Sequence, residues 1–320
     1  MGREQPPGPP GDPAGQQWAI QRRLEDVFAK VGEKFGDLTG RIDVRVNAET
    51  SFAEIGGLGD AKATVQGLVP AITDPELYRR WGITPPKGLL LYGPPGTGKS
   101  LLARALATRA EAIFYHCKLK NLTSKFGPNT GELLQEVLGV AREHGRGVVF
   151  LDEADALSLE HLLPQAQARE ASGRLVAALC EKLDGLPPFS RLVVMAATHR
   201  TDAVDASLVM PGRLDRLVEA PLPDGPAQQE ILELTRAKAE RAAGRPLVAE
   251  VDLRSVLPPM GGMSGAEIAQ VLRRALEQKV HAAGEGRDAG LVTTQDLLDQ
   301  IDAYRRIRGV VEKIRYGQYL

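Results

Sequence analysis

Apolar residues follow two rhythms along this chain. Between Ser51 and Pro223 they come as short continuous runs, at 88–92, 112–117, 147–151, 192–197 and 216–220, with intervals long enough for a crossover helix between them. Runs of that length, rich in leucine and β-branched residues, predict strands of a parallel sheet buried on both faces. After Pro223 such runs stop, and apolar positions recur at helical spacing over 227–243, 264–283 and 293–308. The expected fold class is α/β: a parallel sheet flanked by helices, followed by a small all-helical subdomain.

The segment ahead of the sheet reads differently. Five prolines and four glycines within the first fifteen residues leave little to bury and predict a disordered tail over 1–15. Ile20, Leu24, Val27, Val31 and Leu38 then recur at spacings of three, four or seven, which predicts an amphipathic helix over 16–40. Gly32 and Gly36 each weaken it by about 1 kcal/mol relative to alanine, so a packed single helix and a short coiled coil both fit. A polar stretch over 41–50 leads to a large α/β subdomain at 51–223, a helical lid at 224–310 and a tail at 311–320.

Composition narrows the function classes. Forty basic against forty-one acidic residues give a net charge of -1, which leaves no electrostatic excess for nucleic acid or an acidic membrane. No run approaches the roughly 18 apolar residues that span a bilayer. Cys117 and Cys180 are too few for a disulfide scaffold or a four-ligand zinc site. With no signal-peptide pattern at the N-terminus, the expectation is a soluble cytoplasmic protein with both thiols in the core, partnered by neither nucleic acid nor membrane.

The chemistry concentrates at two strand ends. Gly93-Pro94-Pro95-Gly96-Thr97-Gly98-Lys99-Ser100 follows an apolar strand and opens a helical run from Leu101, fitting G-x-x-x-x-G-K-[ST] in its required context. Glycines there let backbone N–H groups face a phosphate chain, the helix start adds a positive end, and Lys99 brings a point charge to the terminal phosphates. Ser100 is the expected Mg²⁺ ligand. Fifty-three positions after Lys99, the run at 147–151 ends in Asp152-Glu153. Asp152 is placed to hold the hydrated magnesium, and Glu153 to orient and deprotonate an attacking water.

With these motifs in this order the chain resembles the AAA ATPases, ring-forming machines that use ATP to remodel or unfold proteins. Phe52-Ala53-Glu54-Ile55-Gly56-Gly57-Leu58 is similar to the family's opening segment, where the resemblance implies adenine contacts near Ile55 and Gly56. Asp205-Ala206-Ser207-Leu208-Val209-Met210-Pro211-Gly212-Arg213-Leu214-Asp215-Arg216 resembles its second region of homology, which implies that Arg213 and Arg216 reach the ATP of a neighbouring subunit. Two permanently charged guanidiniums suit the transition state of phosphoryl transfer. Gly262-Met263-Ser264-Gly265-Ala266-Glu267 looks like the segment where the lid meets nucleotide through Gly265 and Ala266. The resemblance implies a homo-oligomer, a hexamer by family habit, acting on protein substrates with ATP and Mg²⁺.

Two positions depart from the family pattern. His199 stands where an asparagine normally helps place the attacking water, which would make turnover pH-sensitive. At the expected pore-facing loop, Ser124-Lys125-Phe126-Gly127-Pro128 replaces an aromatic, aliphatic and glycine sequence, with Phe126 as the expected exposed aromatic paddle and Lys125 as its flanking charge. The last four residues, Gly317-Gln318-Tyr319-Leu320, are the same as the tail of actinobacterial proteasome-associated ATPases, implying docking of Tyr319 and the Leu320 carboxylate on a proteasome core. A stand-alone remodelling ATPase shares every nucleotide motif, and a nucleotide-gated scaffold without turnover is the rival from another class.

Overall fold

The computed structural model describes residues 42–45, 48–160 and 162–315, together with Gly15, Trp18, Ala19 and Arg22, which are helical. The expected tail therefore lies outside the described residues over 1–14, with Gly15 helical instead, and most of the helix over 16–40, Tyr319 and Leu320 also lie outside them. The chain divides into two compact units, one formed by 1–52, 60–93 and 99–220, the other by 53–59, 94–98 and 221–320. The sequence places its boundary at 223, close to the break at 220, but the two short segments that join the second unit are invisible to a linear reading.

The first unit is built on six strands: β1 (Ile42–Arg45), β2 (Gly88–Tyr92), β3 (Ile113–Lys118), β4 (Gly147–Asp152), β5 (Leu192–Thr198) and β6 (Arg216–Glu219). Their order is β1-β3-β4-β5-β2-β6. Five are parallel and sit where the apolar runs predict them, while β1 pairs antiparallel to β3, with Val44 opposite Tyr115. That edge strand lies in the stretch read as merely polar. The buried Val44 stands between the ion-paired Asp43 and Arg45, and such a charged edge has too little apolar content to announce itself.

Helices Lys99–Arg109, Leu119–Phe126, Thr130–Glu143 and Gln165–Asp184 belong to the same unit. β5 is buried along its whole length because both its faces are covered. The core joins Tyr115, Val149, Leu151 and Val194 of the sheet to Leu134, Val137, Leu175 and Leu179 of the helices. Cys117 and Cys180 are both free and buried, and burial pushes the Cys117 thiol up to about 12.

Helices Gly225–Ala243, Leu253–Val256, Gly265–Gly284 and Thr294–Arg315 dominate the second unit. Leu232, Met260, Ile268, Leu272, Leu297 and Ile301 close its core. Each start is chemically marked. Asp224 accepts from the Ala227 N–H at 3.0 Å with Pro226 just inside the helix, and Ser264 and Glu267 form a reciprocal capping box. The last helix runs to Arg315, past the expected end of the lid at 310.

Candidate active site

Parallel strands deliver their C-terminal ends to one edge of a sheet, and β4, β5 and β2 are consecutive neighbours. Asp152 ends β4, Thr198 ends β5 with His199 next in the chain, and Gly93 follows β2. Ser100, in the first turn of the helix after the loop, donates its hydroxyl to Asp152 Oδ2 at 3.2 Å. The other carboxylate oxygen, Oδ1, accepts the Glu153 N–H at 3.1 Å. Lys99 Nζ donates to the Gly93 carbonyl at 2.8 Å, folding the side chain back along its own loop.

Electrostatics follow from this crowding. Burial alone would raise the Asp152 carboxyl, but hydrogen bonds from His116, Ser100 and the Glu153 N–H outweigh it and hold the group below the ordinary carboxylate range. Burial pulls the Lys99 ammonium below its usual value, against the opposing attraction of Asp152 and Asp155. Glu153 takes a left-handed backbone, φ 58°, at the turn where the strand stops. A non-glycine residue in that region is strained, which fits a side chain held for a task.

Two contributors escape sequence reasoning. Asp155 accepts the Thr198 hydroxyl at 2.9 Å and lies 3.5 Å from His199 Nδ1, so the D-E-A-D spacing from Asp152 to Asp155 was the available signal. His116, within β3, holds Asp152 Oδ2 at 3.1 Å, and a lone histidine inside an apolar strand was the only hint.

In the second unit, Gly96 has φ 77°, and a Cβ added there would lie 2.8 Å from Ser264 Oγ and 3.0 Å from Ala266 Cβ. The Ala266 N–H donates to the Gly96 carbonyl at 3.0 Å. Thr97 closes the same turn on the Pro94 carbonyl, Pro95 is exposed, and Ile55 packs within 4.0 Å of where a Cβ on Gly98 would stand. Gly56 meets Ile231 so closely that a Cβ would lie 2.6 Å from its side chain, and the next N–H, of Gly57, donates to Glu230 at 2.7 Å. Gly265 opens the helix that Ser264 and Glu267 cap, and Glu267 also accepts the Tyr304 hydroxyl. Leu101, in the first unit, is 41% exposed.

The remaining sequence candidates divide. Arg213 forks onto Asp184, Nε to Oδ1 at 2.8 Å and Nη2 to Oδ2 at 2.7 Å, with Nη1 on the Ser207 carbonyl. Arg216 begins β6 beside Leu89 and is partly buried. Phe126 corrects the expectation of an exposed paddle: it is 7% exposed and belongs to the core of the first unit. Leu119, Leu122, Thr123 and Phe126 form the buried stripe of one short amphipathic helix, while Lys125 faces out.

Residues 89–222 match the model of the ATPase family associated with various cellular activities (AAA). The proteasome-activating nucleotidase of Saccharolobus solfataricus is 30% identical over 298 residues, 93% of this chain and 73% of the relative. This chain belongs to the AAA ATPase family. The proteasome-activating nucleotidase of Aeropyrum pernix is 32% identical across 92% of this chain and 69% of its own length. That of Methanopyrus kandleri is 34% identical across 85% and 59%. As a member of this family the chain is an ATP-hydrolysing enzyme, and the loop, Asp152 and Glu153 all fall inside the matched residues. No described helix is long and apolar enough to cross a membrane.

Proposed function

We propose that the chain is a ring-forming, Mg-ATP-driven protein unfoldase that delivers substrates to a proteasome core. The observation that carries the nucleotide chemistry is the Ser100–Asp152 hydrogen bond at the end of β4. No cluster of three or more His, Cys, Asp or Glu side chains able to hold a metal exists among the described residues. A hydroxyl and a carboxylate alone are hard oxygen donors suited to magnesium, which takes its other ligands from water and substrate phosphates. Bound there, the cation would neutralise charge developing on the phosphates.

The chain's own groups do the rest. Backbone N–H groups over 94–101 cradle the phosphates, Ile55 and Gly56 take adenine, and Gly265 and Ala266 let backbone approach the nucleotide. Lys99 leaves the Gly93 carbonyl for the terminal phosphates. Glu153 accepts the proton of the attacking water as the bond to the terminal phosphorus forms and ADP leaves. Thr198, His199 and Asp155 form a polar relay that can orient that water. Arg213 and Arg216 serve a neighbour's ATP, for which Arg213 must leave Asp184.

The proteasome assignment rests on the names of the relatives and on the Gly-Gln-Tyr-Leu tail. Mixing the protein with the proteasome core of its source and ATP should stimulate degradation of a folded substrate. Glu153→Gln should abolish it, and Tyr319→Ala or removal of Leu320 should abolish it without loss of ATPase activity. Intact ATPase activity with no stimulation would leave a stand-alone remodelling enzyme.

A further inference from the structure

His116 lies in the middle of β3, 5% exposed, on the face it shares with Phe114. The parallel register sets it opposite Phe150 of β4, and Asp152, two residues further along, projects from the same face as Phe150. The imidazole is flanked by both rings, its centroid 5.9 Å from that of Phe114 and 5.4 Å from that of Phe150. Its Nε2 lies 3.1 Å from Asp152 Oδ2. An ionised carboxylate only accepts hydrogen bonds, so Nε2 is the donor in this pair.

The same Oδ2 receives the Ser100 hydroxyl at 3.2 Å, while Oδ1 receives the Glu153 N–H at 3.1 Å. Three donors approaching two oxygens from three elements fix both the plane and the rotation of the carboxylate. Because the Ser100 hydroxyl hydrogen points to Oδ2, the oxygen's lone pairs remain available to a cation. The aromatic walls hold the imidazole, the imidazole holds the carboxylate, and the carboxylate orients the serine.

We propose that His116 is a positioning residue for the magnesium site, fixing Asp152 and through it Ser100, rather than a polar residue tolerated in the core. This rests on the Mg-ATP reading above and deepens it. Outer-shell partners of metal-binding carboxylates change metal affinity by about 10- to 100-fold when removed. His116 touches no phosphate and no reacting atom.

The test compares wild type, His116→Phe, His116→Gln, Asp152→Asn and the double variant His116→Phe/Asp152→Asn. The reading is Mg²⁺ titration of the binding of a fluorescent ATP analogue, which needs no turnover, alongside nucleotide-free thermal melting and kcat with KM. His116→Phe keeps an aromatic ring and loses the donor, so half-saturating Mg²⁺ should rise about 10-fold or more. Glutamine, which restores an N–H at similar reach, should recover most of the loss. In the Asp152→Asn background the histidine change should have no further effect, because both act through one carboxylate. Should Phe fail to fold, His116→Met removes the donor at similar length and is read the same way. An unshifted Mg²⁺ curve in a folded donorless variant, or an equal shift in both backgrounds, overturns the proposal while leaving the Mg-ATP reading intact. A wild type whose nucleotide binding ignores Mg²⁺ overturns both.

Discussion

The guanidinium of Arg213 is forked onto the carboxylate of Asp184, with both bonds at 2.8 Å or less and a third bond to the Ser207 carbonyl. The hydrogen bonds from Arg213 hold the Asp184 carboxyl below its ordinary range. A residue expected to act on a neighbour's nucleotide is thus parked within its own chain. Fork geometry suits either partner, carboxylate or phosphate, because both present two oxygens at similar separation.

Arg213→Ala should retain ATP binding but lose about 10³-fold or more in kcat, the range found when an arginine finger is removed. Asp184→Asn keeps the arginine and should keep turnover, with a modest fall in melting temperature. Steady-state ATPase assays of both variants at a concentration that supports assembly decide it. Equal losses would mean that the pair is structural.

Phe126→Ala should destabilise the protein by about 3–5 kcal/mol, as expected for truncating a core phenylalanine. Denaturant unfolding measures this. A residue that grips substrate from an exposed loop would instead leave stability unchanged and impair degradation of folded substrates alone.

Gly56→Ala places a methyl group 2.6 Å from the Ile231 side chain and 2.8 Å from its backbone nitrogen. Backbone cannot retreat as a side-chain tip can, so a cost of about 1–3 kcal/mol is expected. Ile231→Ala in the same chain relieves only the side-chain part, so thermal melting should show partial rescue.

Burial would raise the Glu267 carboxyl, but bonds from Tyr304, the Ser264 N–H and the Ser264 hydroxyl hold it below its ordinary value of 4.5. A carboxyl depressed by folding stabilises the protein above its unfolded-state value, and that contribution disappears as pH falls through the folded-state value. Melting temperature should therefore fall below about pH 4.5 more steeply in wild type than in Glu267→Gln. Parallel curves would remove Glu267 from the acid response.

Local chemistry was legible in the sequence wherever a pattern is read by the chain's nearest neighbours. The glycine loop, Lys99 and Ser100 need only a strand before and a helix after, and the five apolar runs became five parallel strands within a residue or so. The helical rhythm read over 264–283 begins where Ser264 and Glu267 close a capping box within one turn. Leu119, Leu122 and Phe126 at helical spacing carried a signal for burial, but the resemblance implied an exposed loop residue at Phe126.

What only the tertiary structure decided were the partners. Period-two alternation places His116 on one face of β3, but the strand register against β4 is what brings Asp152 to its Nε2. Nothing near Arg213 in sequence identifies Asp184, 29 residues away, as its counter-charge. The edge strand Ile42–Arg45 exists because β3 offers it unpaired backbone groups, not because its own residues favour a strand. A sequence fixes the rhythm and chemistry of each segment through short-range sterics. Long-range pairing depends on which segments bury their apolar faces together, and that is settled only when the whole sheet has formed.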